Sequence, residues 1–378
     1  MASDRDEAAR PLRLAHVFAT YDAGGPQVRT IEVMRALGPA FAHSVIAADG
    51  RTGASARTPV SVPVAAMRRP APAWRQLREL VGVLRRTRPD LVLTYNWGAL
   101  LGGVAARLLG LPFVHHEEVV PPEERSASLR RRDWLRRALL PRAAAVVAPS
   151  ATMAQRAQER WFVPPSRLVR IDNGVDLAGR SARDHLRPAP EALVVGTVAH
   201  ARIEKNWPRL LRAFAALRHP TSRLVLVGDG PERPAAEQLS RALRVTARTT
   251  MAGAVDEPRT WYAAMDVFAL ASDDEQMPLC VLEAMAHGLP VVATDVGDVA
   301  AILPPEQRRF VVPPDARADA AMATAIDELL ADARLRARLG AANRAHVAQR
   351  HDLRFVAARY DALYRRCARV AALAEACA

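Results

Sequence analysis

The stretch LRLAHVFATYDAGGPQVRTIEVMRAL, residues 12–37, carries three signals in order. Residues 12–20 form a short apolar run that reads as a strand. Gly24–Gly25 interrupts the chain, and Val28, Ile31, Met34 and Leu37 then recur at helical spacing. The same unit returns down the chain. HSVIAA (43–48), DLVLTY (90–95), PFVHH (112–116) and AAVVAPS (144–150) read as strands, with helical stretches between them. Such βαβ alternation specifies a parallel, doubly wound sheet.

A second series follows: ALVVGTV (192–198), SRLVLVGDG (222–230), MDVFALAS (265–272) and PVVATDV (290–296). Between the two series lies DNGVDLAGRSARDHLRPAP (172–190), rich in Gly, Asp, Arg and Pro, which reads as a linker. Residues 315–375 are helical in pattern throughout. The expected architecture is therefore α/β, two tandem Rossmann-like domains facing a cleft. The expected division is residues 1–175 with a C-terminal helix of about 353–378, and residues 176–352. Ligands of such folds sit at the carboxyl ends of the strands.

Composition agrees. A chain of 378 residues that is 50% hydrophobic and 25% charged is a globular protein of about two domains, not a disordered or fibrous one. No run of about 18 apolar residues is present, and MASDRDEAAR lacks the apolar core of a secretory signal. A cytosolic protein is expected. Three cysteines (Cys280, Cys367, Cys377) without CxxC spacing fit a reducing compartment, and the histidines lack zinc-site spacing. Lys and Arg total 53 against 40 Asp and Glu, a net charge of +13, yet only one basic residue is a lysine, Lys205. The lone ammonium reads either as a place where a compact point charge is wanted or as chance in an arginine-rich composition.

The most informative motif is SDDEQMPLCVLEAMAHGLPVVATDVGD (272–298). Pro278 suits the first turn of a helix. The free N–H groups near Leu279 and Cys280, with the helix dipole, form an anion site suited to a diphosphate. Glu275, in the loop before the helix, suits sugar hydroxyls, and Glu283, further along it, suits a ribose. Cys280 reads as a small packing residue.

This run resembles the EX7E signature of the GT4 family of retaining glycosyltransferases, which have the GT-B fold. GGPQ (24–27), DNGVD (172–176), VGTVAHARIEKN (195–206) and LVLVGDGPE (224–232) resemble further family segments, in the same order. The resemblance implies transfer of a sugar from a nucleotide-diphosphate sugar to an acceptor hydroxyl with anomeric retention and no essential metal. It places the protein in cell-envelope polysaccharide or glycolipid synthesis. It implies that Lys205 binds the donor diphosphate. The family's Gly-Arg pair reads Ala199–His200 here, so Arg202 is the candidate for the missing cation. Gly24 and Gly25 would let backbone approach the donor, and main chain near Thr250, Met251 and Gly253 would meet the base. A donor-sugar histidine is implied at His116, with His115 as the alternative, because strand residues alternate faces. Asn96 and Trp97 are acceptor-side candidates. In this fold the last helix crosses back to the first domain.

Arg130, Arg131, Arg132, Arg136, Arg137 and Arg142 surround Trp134, Leu135, Leu139 and Leu140. On a helical wheel Trp134, Leu135, Ala138 and Leu139 share one side and most of the arginines the other. One reading is a core-packed helix with a solvated basic face; the other is a surface helix meeting anionic lipid on the cytoplasmic face of the inner membrane. Two other functions fit parts of the pattern. A nucleotide-sugar epimerase on the same fold would consume donor without acceptor. A non-catalytic basic binding or assembly protein would account for the charge, but no nucleic-acid-binding signature accompanies it.

Overall fold

The computed structural model describes residues 10–67, 72–118, 130–177, 191–255 and 257–376. The chain forms two compact units, Met1–Ile171 with Val356–Ala378, and Asp172–Phe355.

In the first unit the elements are β1 (Leu12–Phe18), α1 (Gly25–Leu37), β2 (Phe41–Ala47), β3 (Val64–Ala66), α2 (Ala73–Thr87), β4 (Leu91–Tyr95), α3 (Leu100–Leu108), β5 (Phe113–His116), α4 (Arg130–Leu139), β6 (Ala145–Ala148), α5 (Ala151–Trp161) and β7 (Leu168–Arg170). The described strands form a seven-stranded sheet of order β3-β2-β1-β4-β5-β6-β7. Every pairing is parallel. The central strands β4, β5 and β6 are buried along their whole length, as strands covered on both faces must be. The core joins strand residues Val17, Val92 and Val146 to helix residues Leu80, Leu84 and Trp161. Ser150 caps α5, its hydroxyl accepting the Met153 N–H at 3.0 Å.

The second unit follows the same logic with β8 (Val194–Val198), α6 (Trp207–Ala215), β9 (Arg223–Val227), α7 (Arg233–Ala242), β10 (Thr249–Gly253), α8 (Arg259–Tyr262), β11 (Val267–Leu270), α9 (Leu279–Ala286), β12 (Val291–Thr294), α10 (Val299–Ile302), β13 (Val311–Val312), α11 (Ala318–Ala331) and α12 (Ala333–Arg350). Its six described strands run β10-β9-β8-β11-β12-β13, all parallel. In each sheet the order reverses beside the first strand, between β1 and β4 and between β8 and β11. The last helix, α13 (Leu353–Ala376), belongs to the first unit from Val356 onward. The linker expected over 172–190 is described only as far as residue 177, and description resumes at 191.

Among the described residues no helix is long and apolar enough to cross a membrane.

Candidate functional site

The loops after β8 and β11 meet at the point where the strand order of the second sheet reverses, the usual ligand crevice of an open α/β sheet. Lys205 ends the loop after β8 and Glu275 lies in the loop after β11. The Lys205 ammonium donates to Glu275 Oε1 at 2.6 Å, and the Ser272 hydroxyl donates to the same oxygen at 2.8 Å. Both side chains are mostly buried, 18% exposed for Lys205 and 9% for Glu275. Burial pulls the Lys205 pKa down, but the charge and hydrogen bond of Glu275 outweigh it, so the net shift is upward and the ammonium is secured.

The pair is held by ties between the two loops. The Asp273 N–H donates to Glu204 O at 2.8 Å, and Asn206 Nδ2 donates to Asp273 Oδ2 at 3.0 Å. Arg209, 8% exposed, donates to Ala271 O at 2.7 Å and pairs with Asp273 at 2.7 Å. Asn206 also caps α6, accepting the Arg209 N–H at 3.0 Å. The turn after β9 packs on the same loop, the Ala201 N–H donating to Asp229 O at 2.9 Å. Here glycine is required: at Gly228 φ is +137°, and an added Cβ would stand 2.0 Å from Ala199 O. Gly297, at φ +56°, likewise backs onto Glu275, its would-be Cβ 2.1 Å from the Glu275 carbonyl oxygen.

Pro278 is the N-cap of α9, one position earlier than the sequence reading placed it, because the helix proper opens at Leu279. Glu283 lies in that helix. The hydroxyl of fully buried Tyr262 donates to Glu283 Oε2 at 2.7 Å, and Arg259 lies 3.7 Å from Oε1. Burial, then the neighbouring Glu283 charge, push the Tyr262 pKa well up, so it stays a donor. Neither Tyr262 nor Arg259 was found from sequence, since a lone aromatic and a lone arginine before a strand carry no signal. Cys280 is a free thiol, its pKa raised by burial and then by Glu275, which makes it a poor nucleophile. Arg202 is 48% exposed and 3.6 Å from Glu204. His200 beside it has its pKa lowered by burial and then by Arg202. Met251, midway along β10, packs its side chain against the core.

In the first unit Gly24 is the N-cap of α1 and Gly25 its first residue. Neither has positive φ, and a Cβ on Gly25 would meet nothing within 4 Å, so a tight-turn requirement does not explain the pair. Asn96 follows β4 at φ +55°, and its Oδ1 accepts the Glu118 N–H at 2.8 Å. Trp97 packs on the core, with Arg136 5.3 Å above its ring.

The two histidines point to opposite faces as alternation demands, yet both are fully buried. His115 bridges Thr94 Oγ1 at 2.8 Å and Glu117 Oε2 at 2.9 Å. His116 Nε2 lies 3.1 Å from the Tyr364 hydroxyl of α13, and its ring stacks on Tyr95 at 4.6 Å. Its ring is enclosed by Tyr95, Tyr360 and Tyr364, the last two from the final helix. Burial, then Arg29, hold its pKa well below the usual histidine range.

Arg136 corrects the sequence reading. The helical wheel put it on the solvated face, but it is fully buried, donating from Nε and Nη2 to the Glu117 carboxylate at 3.1 and 2.8 Å. Trp134, which the core-packed reading of this helix puts inside, is 70% exposed. A carboxylate at the end of β5 draws the arginine in and turns the tryptophan out.

Two family profiles match the chain: Glycosyltransferase Family 4 over residues 23–178 and Glycosyl transferases group 1 over residues 189–332. The chain is 34% identical over 269 residues to the GDP-mannose-dependent alpha-mannosyltransferase of Mycolicibacterium smegmatis, covering 68% of each protein. It is 29% identical over 243 residues to the Arabidopsis thaliana sulfoquinovosyl transferase SQD2, a match that covers 60% of this chain and 47% of that protein. Among solved structures, Anabaena Alr3699/HepE in complex with UDP superposes with a TM-score of 0.79 at 20% identity, covering 94% of this chain and 100% of that one. The two family matches and the mannosyltransferase relative show that the chain belongs to the GT4-type glycosyltransferases, transferase enzymes, and its two parallel sheets have the GT-B fold.

Proposed function

We propose that the protein is a retaining glycosyltransferase that moves a sugar from a nucleotide-diphosphate sugar to an acceptor hydroxyl in cell-envelope polysaccharide or glycolipid synthesis, without an essential metal. The observation that carries this reading is the Lys205–Glu275 pair, at 2.6 Å, set where the second sheet's strand order reverses and beside the start of α9. A diphosphate there meets the N–H groups of Leu279 and Cys280, the Lys205 ammonium and, from the exposed side, Arg202. These groups neutralise charge that grows on the leaving diphosphate as the glycosidic bond breaks. Glu275 keeps a second carboxylate oxygen for the sugar hydroxyls. Glu283, held by Tyr262, accepts from the ribose, and main chain beside Met251 takes the base. The acceptor hydroxyl loses its proton to the leaving phosphate, so no enzyme carboxylate is asked to form a covalent bond.

The test is a thermal-shift panel of UDP, GDP and ADP and their sugars, run with EDTA and, in parallel, with added magnesium. A ligand at 100 times its Kd stabilises the folded state by about 2.7 kcal/mol. A selective shift with one nucleoside diphosphate is expected, followed by a product whose anomeric configuration, read by NMR, equals the donor's. A shift that requires a divalent cation, or an inverted product, overturns the corresponding part.

The first unit's basic helix supplies a partner. Arg137 lies 5.0 Å from the ring of Phe162, donates to Arg160 O at 2.8 Å, and stands one helical turn from Trp134. Trp134 and Phe162 are 70% and 61% exposed. Two exposed aromatic rings around arginines suit an anionic lipid surface, where each basic residue adds about 1 kcal/mol. The side chains of Arg130 and Arg131 lie outside the described residues. Trp134→Ser with Phe162→Ser is expected to weaken co-sedimentation with phosphatidylglycerol vesicles about tenfold while leaving donor binding intact. Unchanged sedimentation overturns the assignment.

A further inference from the structure

The DNGVD motif (172–176) has so far had no part in the chemistry. It opens the second unit just after the chain leaves the first, and it pairs with the segment by which the chain returns. Val175 bridges Asp352 in parallel. The Val175 N–H donates to His351 O at 2.8 Å, and the Leu353 N–H donates to Val175 O at 3.0 Å. His351 Nδ1 lies 3.1 Å from Asn173 O. Asn173 is thereby fixed at both ends, and it is only 8% exposed.

From that fixed position Asn173 reaches the donor loop. Its Nδ2 donates to Met277 O at 2.7 Å and its backbone N–H meets Met277 Sδ at 3.1 Å. Met277 immediately precedes Pro278, the N-cap of α9. A second tie reaches further along the same helix. Arg259 lies 3.7 Å from both Asp176 Oδ2 and Glu283 Oε1. The motif thus grips the start of α9 through Asn173 and its internal carboxylate through Asp176 and Arg259.

We propose that residues 172–176 are a positioning element of the donor site. Asn173 sets the backbone that enters α9, and Arg259, braced by Asp176, sets the Glu283 carboxylate. This rests on the reading that a nucleoside diphosphate sits at the start of α9. The chemistry is specific: the Met277 carbonyl needs a donor at that distance, and an aspartate at 173 would bring a carboxylate oxygen against it.

The experiment is isothermal titration of UDP, GDP and ADP into the full-length protein, well below its melting temperature. Against the nucleotide that the wild type binds, Asn173→Ala and Asn173→Asp are each expected to raise Kd about tenfold or more. Arg259→Ala is expected to raise Kd severalfold, and Arg259→Lys to recover part of the loss. Asn343→Ala is the control. Asn343 is another buried amide of this unit, donating to Leu289 O at 2.8 Å and Gln307 Oε1 at 2.9 Å. Its loss should lower the melting temperature and leave Kd within about twofold, since it lies away from the loop. If Asn173→Ala does not fold, the two Arg259 variants decide. Wild-type affinity in the variants, or an equal loss in Asn343→Ala, overturns the inference while the donor reading stands. Failure of the wild type to bind any of the three nucleotides overturns both.

Discussion

Lys205→Ala is expected to lower kcat/KM about 100-fold or more, the range seen when one contact made chiefly in the transition state is removed. The argument starts from the sequence, in which this is the only lysine beside many arginines. It continues in the structure, where the ammonium is mostly buried and bonded to Glu275 at 2.6 Å. Removing it takes a positive charge from the site proposed for the leaving diphosphate. It also leaves Glu275 in a largely buried place without its cation, a second penalty of the same sign. Lys205→Arg separates charge from shape. The guanidinium keeps the charge but is planar and larger, and it enters a gap bounded by Glu275, Ser272 and the 202–206 loop, so only part of the activity should return. Glu275→Ala is expected to fall as far, because it removes both the carboxylate proposed to receive the donor-sugar hydroxyls and the group that aims Lys205. Steady-state transfer assays check this, with melting temperatures recorded alongside. Near-normal turnover in Lys205→Ala, in a protein that folds and binds donor, would show that the diphosphate charge is met by other groups.

What was legible in the sequence, and what was not, divides along physical lines. The strands read correctly are the interior strands of the two sheets, buried on both faces and therefore written as continuous apolar runs. The strands not read, β3, β7, β10 and β13, are the four sheet edges. An edge strand needs only one neighbour and little burial; β3 is exposed at two of its three residues, and β13 has only two residues. The start of α9 was legible because Pro278 and the following apolar run each obey a local rule. Tyr262, Arg259 and Asn173 obey none, since their partners lie 21, 24 and 104 positions away in sequence. The buried first-unit cluster was misread for a related reason. A helical wheel ranks side chains by polarity, and by polarity Arg136 belongs outside. Only the fold shows that Glu117 stands at the strand end to receive it.

Arg136→Ala tests that buried cluster and should be the most destabilising change on the protein. Arg136, Glu117 and His115 are each fully buried, and the guanidinium also covers the rings of Trp97 and Trp161 at 5.3 and 4.7 Å. Truncation strands the Glu117 carboxylate in an apolar interior, a loss of about 3–5 kcal/mol. That is a large share of the roughly 5–15 kcal/mol that holds a native domain. The melting transition of the first unit should fall by about 10 °C or more. The double change Arg136→Met with Glu117→Leu should cost much less than Arg136→Ala, because it leaves no unpaired charge. The pH dependence gives a further check. In the wild type, burial raises the Glu117 pKa, but Arg136 and then His115 outweigh it and hold the pKa low. The native state therefore binds fewer protons than the unfolded one, so the pair's contribution is complete above the ordinary glutamate pKa and fades as pH falls through the lowered value. Without Arg136 the largest opposition to the burial effect is lost, and Glu117 takes up a proton more readily. The deficit of Arg136→Ala should accordingly be widest at neutral pH and narrow as the solution is acidified. A deficit that stays constant with pH, or a double variant as unstable as the single one, would mean that Arg136 acts through packing against the two tryptophans and not through its charge.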